Sequence, residues 1–201
     1  MRGYDGDVAV SYGGSGAMAQ QIARGAPADI YLSANVAWVD WLQEQGEDGA
    51  RVDLLSNRLV LITTQGLDNA ERGDVFAAAR RSGLALGQTL SVPVGIYARQ
   101  SLEALDEWDS LRGAVIEFPS ASAVLRAVEL GEVPAGVVYV TDAQQSQRVA
   151  HVDILDNSTH DAITYPMMLL SPAAEPMFAL LQSETAADVF RRYGFVVVAD
   201  R

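Results

Sequence analysis

The sequence predicts an α/β fold, and two observations lead to that prediction. Short apolar runs typical of strands alternate along the 201 residues with segments whose apolar side chains recur at helical spacing. One of these runs, within 58–63, is continuously apolar, as in strands that are buried on both faces. Alternation of this kind predicts parallel sheets covered by helices, and the length allows one large domain or two small lobes, each with its own core.

The predicted strands follow from runs rich in valine, isoleucine and leucine. They lie at 8–10, 29–33, 58–63, 84–86, 114–117, 136–140, 162–170 and 195–198. Pro166 is expected to break the seventh of these strands, because proline cannot donate a hydrogen bond to a strand ladder.

The predicted helices follow from apolar spacing and from residues that start or end a helix. They lie at 17–24, 36–45, 74–81, 95–105, 120–130, 141–147 and 175–193. The second helix places Trp38, Trp41 and Leu42 on one face, which predicts that they pack in a core. Pro93 precedes the fourth helix, and Gly131 ends the fifth.

Composition limits the classes of partner. The formal net charge is -12, so nucleic acid and anionic membrane surfaces are poor partners. All fourteen basic residues are arginine, and cysteine is absent, which excludes disulfides, thiolate metal sites and cysteine nucleophiles. Any bound anion must therefore be held by short-range hydrogen bonds, because the overall field repels it.

A glycine-rich turn, Gly13-Gly14-Ser15-Gly16, joins the first predicted strand to the first predicted helix. The glycines allow a tight turn, and Ser15 stands where the helix begins. Free N–H groups and the positive end of the helix dipole converge at such a point and favour an anion. No lysine or arginine lies in the turn, so the donors of this candidate site are neutral.

Three other loops occupy comparable positions. In open α/β sheets, ligands bind beyond the carboxyl ends of the strands. The loops at Val94, at Ser120–Ala121 and at Tyr139 fall at such ends or at helix starts. These residues can also have structural roles only: Ser15 as a helix N-cap, and Tyr139 as a tyrosine at the edge of the core.

An enzyme is the main alternative class. Gly13-x-Ser15-x-Ala17 nearly matches the nucleophile elbow of α/β-hydrolases, and Asp153 or Asp156 followed by His160 would complete the order of a triad. The second glycine of the elbow is replaced, and no oxyanion-loop motif precedes it. A phosphate-loop NTPase is favoured even less, because the Gly-Lys-Ser/Thr element is missing.

Several segments together resemble the periplasmic molybdate-binding proteins of molybdate ABC transporters. The most specific are Gly-Ala-Pro-Ala-Asp at 25–29 and Pro-x-Gly-Ile-Tyr-Ala at 93–98. The supporting segments lie at 14–22, 30–35, 57–61, 136–139 and 190–195, in consistent order along nearly the whole chain. The resemblance implies a type II periplasmic-binding-protein fold of two lobes, each a mixed sheet flanked by helices. Lobe I would comprise 1–62 and 167–201, and lobe II 63–166.

The resemblance also implies a function without bond chemistry, so the protein is not expected to be an enzyme or to use a cofactor. Molybdate or tungstate would bind in the cleft between the lobes and pass to an ABC permease. The oxyanion would be held by Ser15, by the backbone amides of Val94 and Ala121, and by Tyr139, with no side chain ligating a metal cation. The protein would be a periplasmic monomer.

The resemblance further implies that the chain lacks the family's amino-terminal strand and helix, which carry a first binding serine. It also implies that a signal peptide has been lost with this amino-terminal part. Two alternatives for the ligand stay open within the binding class. The sequence does not separate molybdate from tungstate, and another tetrahedral oxyanion such as sulfate is the alternative ligand. A hydrolase that uses Ser15 is the alternative outside that class.

Overall fold

The chain forms two compact units in a computed structural model that describes residues 6–64 and 70–198. Unit 1 is built from the chain up to Ser56 and from Ile163 onward. Unit 2 is the continuous segment between them, from Asn57 to Ala162. The predicted α/β class is confirmed, since each unit contains one sheet with helices packed against it.

Unit 1 contains a four-stranded sheet in the order β1-β8-β2-β9. Its elements are α1 (Ser15–Ala23), β1 (Ile30–Leu32), α2 (Val36–Glu44), β2 (Arg51–Ser56), β8 (Thr164–Leu169), α8 (Glu175–Leu181), α9 (Glu184–Arg192) and β9 (Val196–Val197). Helices α1 and α2 pack together over a core that includes Ala19, Tyr31, Val39, Leu42 and Met168, with Trp38 and Trp41 packed against it.

Unit 2 contains a five-stranded sheet in the order β5-β4-β6-β3-β7. Its elements are β3 (Leu59–Thr64), α3 (Arg72–Ser82), β4 (Leu84–Gly87), α4 (Pro93–Ala104), α5 (Trp108–Leu111), β5 (Val115–Phe118), α6 (Ala121–Glu129), β6 (Ala135–Tyr139), α7 (Val140–Gln144) and β7 (Val149–Ile154). Strand β3 is buried from Leu59 to Thr63, as the continuous apolar run predicts. Within the described ranges, none of the helices is both long and apolar enough to cross a membrane.

The expectation of parallel sheets is wrong for unit 1. All its strand pairs are antiparallel: β8 pairs with β1 and β2, and β2 pairs with β9. In unit 2, β4 is parallel to β5 and β6, whereas β3 is antiparallel to β6 and β7. The reason lies in the connectivity. Strand β8 enters unit 1 from a distant part of the chain and lies between β1 and β2, so alternation along the sequence does not set its direction.

The strand predicted at 8–10 is absent. These residues are irregular, and Val8 and Val10 are 52% and 59% exposed. Alternating valines suit a strand, but a strand also needs a neighbour for its N–H and C=O groups. No described strand pairs with this segment, so the preference of its valines for a strand is not sufficient to form one.

One predicted break is absent, and one break that was not predicted is present. Strand β8 runs without interruption through Pro166, opposite Asp53, next to an irregularity of register in β2 that accommodates the missing donor. The single helix predicted at 175–193 is two helices, because the side chain of Ser183 accepts a hydrogen bond from the amide of Ala186 and starts α9 afresh.

The expected lobe boundaries fall within hydrogen-bonded strands. The expected boundary after Ile62 lies inside β3, and the one before Met167 lies inside β8. The chain passes between the two compact units a few residues earlier in both cases, at Ser56–Asn57 and Ala162–Ile163. Each strand thus belongs entirely to one sheet, since its ladder bonds hold all its residues together.

Candidate functional site

Ser15 is the first residue of α1, and Gly14 is the N-cap. The hydroxyl oxygen of Ser15 does not cap the helix but accepts a hydrogen bond from the amide of Ala34, at 3.0 Å. The first amide bonded within the helix is that of Met18, which donates to the carbonyl of Gly14. The amides of Ser15 and the next two residues therefore have no acceptor within the helix, as expected for a first turn.

A buried polar network surrounds Ser15 in unit 1, and the analysis of the sequence did not single it out. The hydroxyl of Tyr31 donates to the carbonyl of Ser15 at 2.8 Å. Burial raises the pKa of Tyr31 to about 12, against the opposing effect of hydrogen bonds with the side chains of Ser33 and Ser15. Ser33 in turn donates to the carbonyl of Asn35 and accepts from its amide. Tyr31 and Ser33 are thus structural supports of the turn that carries Ser15.

Val94 is the second residue of α4, directly after Pro93. The amides of Gly95 and Ile96 both donate to the carbonyl of Val92, which opens the helix. The amide of Val94 precedes these bonds and, like Ser15's, has no acceptor within its helix. Since its side chain is buried, the main chain is the part of this residue that can donate to a ligand.

The start of α4 lies unusually close to the end of β4. A β-carbon added to Gly95 would lie 2.1 Å from the carbonyl oxygen of Gly87, and one added to Gly87 would lie 2.8 Å from a methyl group of Val94. Only glycine allows this approach at both positions. The two glycines therefore determine where the amide of Val94 lies relative to the sheet.

Ala121 is the first residue of α6, and Ser120 is the N-cap. The side chain of Ser120 accepts from the amide of Ala123 at 3.2 Å, and its carbonyl accepts from Val124. These bonds satisfy later amides of the first turn and leave that of Ala121 without an acceptor in the helix. Ser120 is thus an N-cap serine of α6, whereas Ser15 does not cap α1.

Tyr139 is the last residue of β6 and the N-cap of α7, and it is buried. Its position opposite Leu59 in β3 anchors the strand end. Asp142 accepts a hydrogen bond from the backbone of Tyr139, which lowers its pKa, but the larger effect of burial raises that pKa to about 6. Tyr139 is thus held by both the sheet and the first turn of α7.

Asn57 supports the same turn from the start of β3. Its side-chain amide donates to the hydroxyl of Thr141 at 2.8 Å, and both residues are buried. The carbonyl of Arg58 accepts from the amide of Val140 at 2.9 Å. The sequence signal for this support was the segment at 57–61, which was noted for its resemblance alone.

The three predicted residues of unit 2 each lie at or after the carboxyl end of a strand of its sheet. Val94 follows β4, Ala121 follows β5, and Tyr139 ends β6. These three strands are adjacent and parallel, in the order β5-β4-β6, so their carboxyl ends point the same way. Ser15 belongs to unit 1, where it starts α1.

The residues of the hydrolase alternative have other partners. Asp153 forms an ion pair with Arg72 at 2.8 Å, and Asp156 caps a short 3-10 helix by accepting from the amide of Ser158. Nδ1 of His160 lies 2.7 Å from the carbonyl oxygen of Asp161. Across residues 6–64 and 70–198, no group of three His, Asp or Glu side chains is placed to hold a metal ion.

The chain is similar to known proteins along nearly its whole length. Residues 2–196 match the family described as bacterial extracellular solute-binding protein. The molybdate-binding protein ModA of Escherichia coli is 30% identical over 95% of this chain and 79% of its own length. ModA of Haemophilus influenzae is 32% identical over 94% of this chain and 78% of its own length.

A solved structure shows the same fold. The periplasmic molybdate-binding protein of Azotobacter vinelandii superposes with a TM-score of 0.82 at 23% identity, over 92% of this chain and 85% of that one. Solute-binding proteins are not enzymes, so the hydrolase alternative is rejected. The chain belongs to the family of bacterial extracellular solute-binding proteins.

Proposed function

We propose that this protein binds molybdate or tungstate and delivers it to the permease of an ABC importer. The proposal rests on three predicted donor residues that lie at or after the carboxyl ends of three adjacent parallel strands. Open α/β sheets bind ligands at such an edge. The similarity to two molybdate-binding proteins at 30% and 32% identity supports molybdate as the ligand.

The donors suit a tetrahedral dianion. Molybdate presents four oxygen acceptors and no proton, and the proposed shell consists of the hydroxyls of Ser15 and Tyr139 with the amides of Val94 and Ala121. Each hydrogen bond to a charged acceptor is stronger than one between neutral groups. Ser15 belongs to unit 1, and the other three residues belong to unit 2.

Neutral donors also explain how competing anions are rejected. A shell that only donates leaves the proton of a protonated phosphate without an acceptor, which costs free energy. Sulfate carries the same charge as molybdate, so it can be distinguished only by size. The larger oxyanion would reach all the donors at hydrogen-bond distance, whereas with sulfate some of the donor–oxygen distances would be too long.

The transport role sets the location and the partner. We propose that the protein works in the periplasm as a monomer and presents its anion-bound form to the membrane permease. The description of its family as extracellular supports a site of action outside the cytoplasm.

Thermal unfolding in the presence of different anions tests the ligand class. A ligand that binds only the folded state raises the melting temperature as its concentration rises above Kd. We expect molybdate and tungstate to raise it at micromolar concentration, and sulfate and phosphate to do so weakly or not at all. An equal rise with sulfate would reassign the protein to another oxyanion, and no rise with any oxyanion would contradict the proposal.

A further inference from the structure

The loops that lead to Val94 and Ala121 leave the sheet side by side. Strands β4 and β5 are parallel and pair up to Gly87 opposite Phe118. The amide of Gln88 then donates to the carbonyl of Phe118 at 2.9 Å, which extends the contact one residue beyond β4. The two segments therefore begin from a shared, fixed point.

Glu117 fastens one of these loops to the other. A single carboxylate oxygen accepts from the amide of Thr89 at 2.8 Å and from its hydroxyl at 2.6 Å. The hydroxyl bond first, and the amide bond second, lower the pKa of Glu117, so the carboxylate is charged at neutral pH. The side chain of Glu117 thus links the end of β5 to the loop before α4.

The link acts on both predicted amide donors. Thr89 lies in a turn in which the amide of Val92 donates to the carbonyl of Gln88, and Val92 is the N-cap of α4. Glu117 lies three residues before Ser120, the N-cap of α6. The Glu117–Thr89 contact therefore joins two positions, each of which lies three residues before the N-cap of one of these helices.

The presence of a carboxylate here calls for an explanation. A negative charge near an anion site lowers affinity for the anion, so a carboxylate is a poor choice unless its hydrogen bonds bring a benefit. A merely local role would stabilise the loop without affecting which anion binds. A role in spacing the two amides would instead affect selectivity between oxyanions of different size.

We propose that Glu117 is a positioning residue that sets the separation of the amides of Val94 and Ala121, and thereby the size of oxyanion that the site prefers. The inference rests on the proposed function, since it assigns these two amides to the same anion. Glu117 does not contact the anion in this account. It acts through Thr89 and through the start of α6.

The test is calorimetric titration of the whole chain with molybdate and with sulfate. Glu117→Ala removes both hydrogen bonds, and Thr89→Val removes the hydroxyl bond alone. Glu117→Gln keeps an oxygen that can accept from Thr89 and serves as the conservative rescue. Glu132→Ala is the matched control, because Glu132 is an exposed carboxylate of the same unit and its loss changes the net charge equally.

We expect Glu117→Ala to weaken molybdate binding about tenfold and to lower the ratio of molybdate to sulfate affinity, because amides that are no longer held in place donate longer and weaker hydrogen bonds to the anion. Thr89→Val should lower the ratio of molybdate to sulfate affinity by a smaller factor. If Glu117→Ala does not fold, the ratio in Thr89→Val tests the inference. Glu117→Gln and Glu132→Ala should keep the wild-type ratio.

Two results would overturn the inference while the proposed function stands. One is that Glu117→Ala and Thr89→Val both bind molybdate with the affinity of the wild type. The other is an equal loss of affinity for both anions, which would show a loop-stabilising role only. If the wild-type chain bound no oxyanion, the proposed function itself would fail, and this inference with it.

Discussion

The α-carbon of Gly95 and the carbonyl oxygen of Gly87 approach so closely that a β-carbon on Gly95 would lie 2.1 Å from that oxygen. This contact places the first turn of α4 directly on the end of β4. It links a requirement of the backbone, glycine at both positions, to the position of a predicted ligand donor, the amide of Val94.

Gly95→Ala should therefore reduce both stability and affinity. The added methyl group must displace α4 or the end of β4, and we expect molybdate affinity to fall by tenfold or more, since small displacements of donors are costly. Gly73→Ala is the matched control, because Gly73 also lies in the first turn of a helix and a β-carbon there meets no atom within 4 Å. Titration and urea unfolding of both variants measure the two effects.

Tyr139→Phe should weaken molybdate binding about tenfold while the protein stays folded, because one hydrogen bond to a charged acceptor is lost. Tyr193→Phe removes the hydroxyl of a tyrosine that is 55% exposed and serves as the control. The affinities are measured by titration and the fold by circular dichroism. Unchanged affinity in Tyr139→Phe would exclude this hydroxyl from the site.

Ser15→Ala should weaken binding to a similar extent and also reduce stability. It removes the acceptor of the Ala34 amide, and loss of that hydrogen bond is expected to lower the free energy of unfolding by about 1 kcal/mol. Ser11→Ala, in an exposed segment, is the control. If Ser15→Ala lost stability but kept full affinity, Ser15 would be a structural residue alone.

Asp142 should make stability depend on pH. Burial raises its pKa to about 6 from the ordinary 3.8, so between these values the folded protein keeps a proton that the unfolded chain has lost. Its contribution to stability therefore falls as the pH rises from about 4 to about 6 and is constant above that. Asp142→Asn cannot titrate, and it retains an oxygen that can accept from Tyr139.

The free energy of unfolding of Asp142→Asn, relative to that of the wild type, should accordingly increase by on the order of 2 kcal/mol between pH 4 and pH 7. Urea unfolding at intervals of one pH unit measures it. Asp109→Asn, which removes an exposed carboxylate, controls for the change in net charge. An advantage that does not vary with pH would contradict the assigned cause.

The helix starts were predictable from the sequence because their signals are local. Pro93 at the first position of α4, and glycine at the beginning of α1, act within one or two residues of the position they determine. For the same reason Val94 and Ala121 could be placed at helix starts before the fold was known. The sheet edge that brings them together with Tyr139 depends on strand order, which no local signal carries.

Two strands escaped prediction for a shared physical reason. Strand β2 carries an extra residue, Leu54, between Asp53 and Leu55 of its pairing with β8, and β7 carries Val152 between His151 and Asp153 of its pairing with β3. An extra residue shifts the following side chains to the other face and breaks the alternation that identifies a strand. Leu54 and Leu55 are both buried, although they are consecutive.

The supports of the site were also beyond the reach of pattern alone. The bond from Asn57 to Thr141 joins residues 84 positions apart, and the bonds from Thr89 to Glu117 join residues 28 apart. Asparagine, threonine and glutamate in loops usually face water, so their types do not reveal such contacts. Only the folded chain shows which of them hold the binding turns in place.

Calorimetric titration of the purified chain with molybdate, with sulfate as the control, tests the central claim most directly. The account predicts saturable binding of a single molybdate per chain, with much weaker binding of sulfate. Binding of sulfate as tight as that of molybdate, or no heat with either anion from a folded protein, would contradict it.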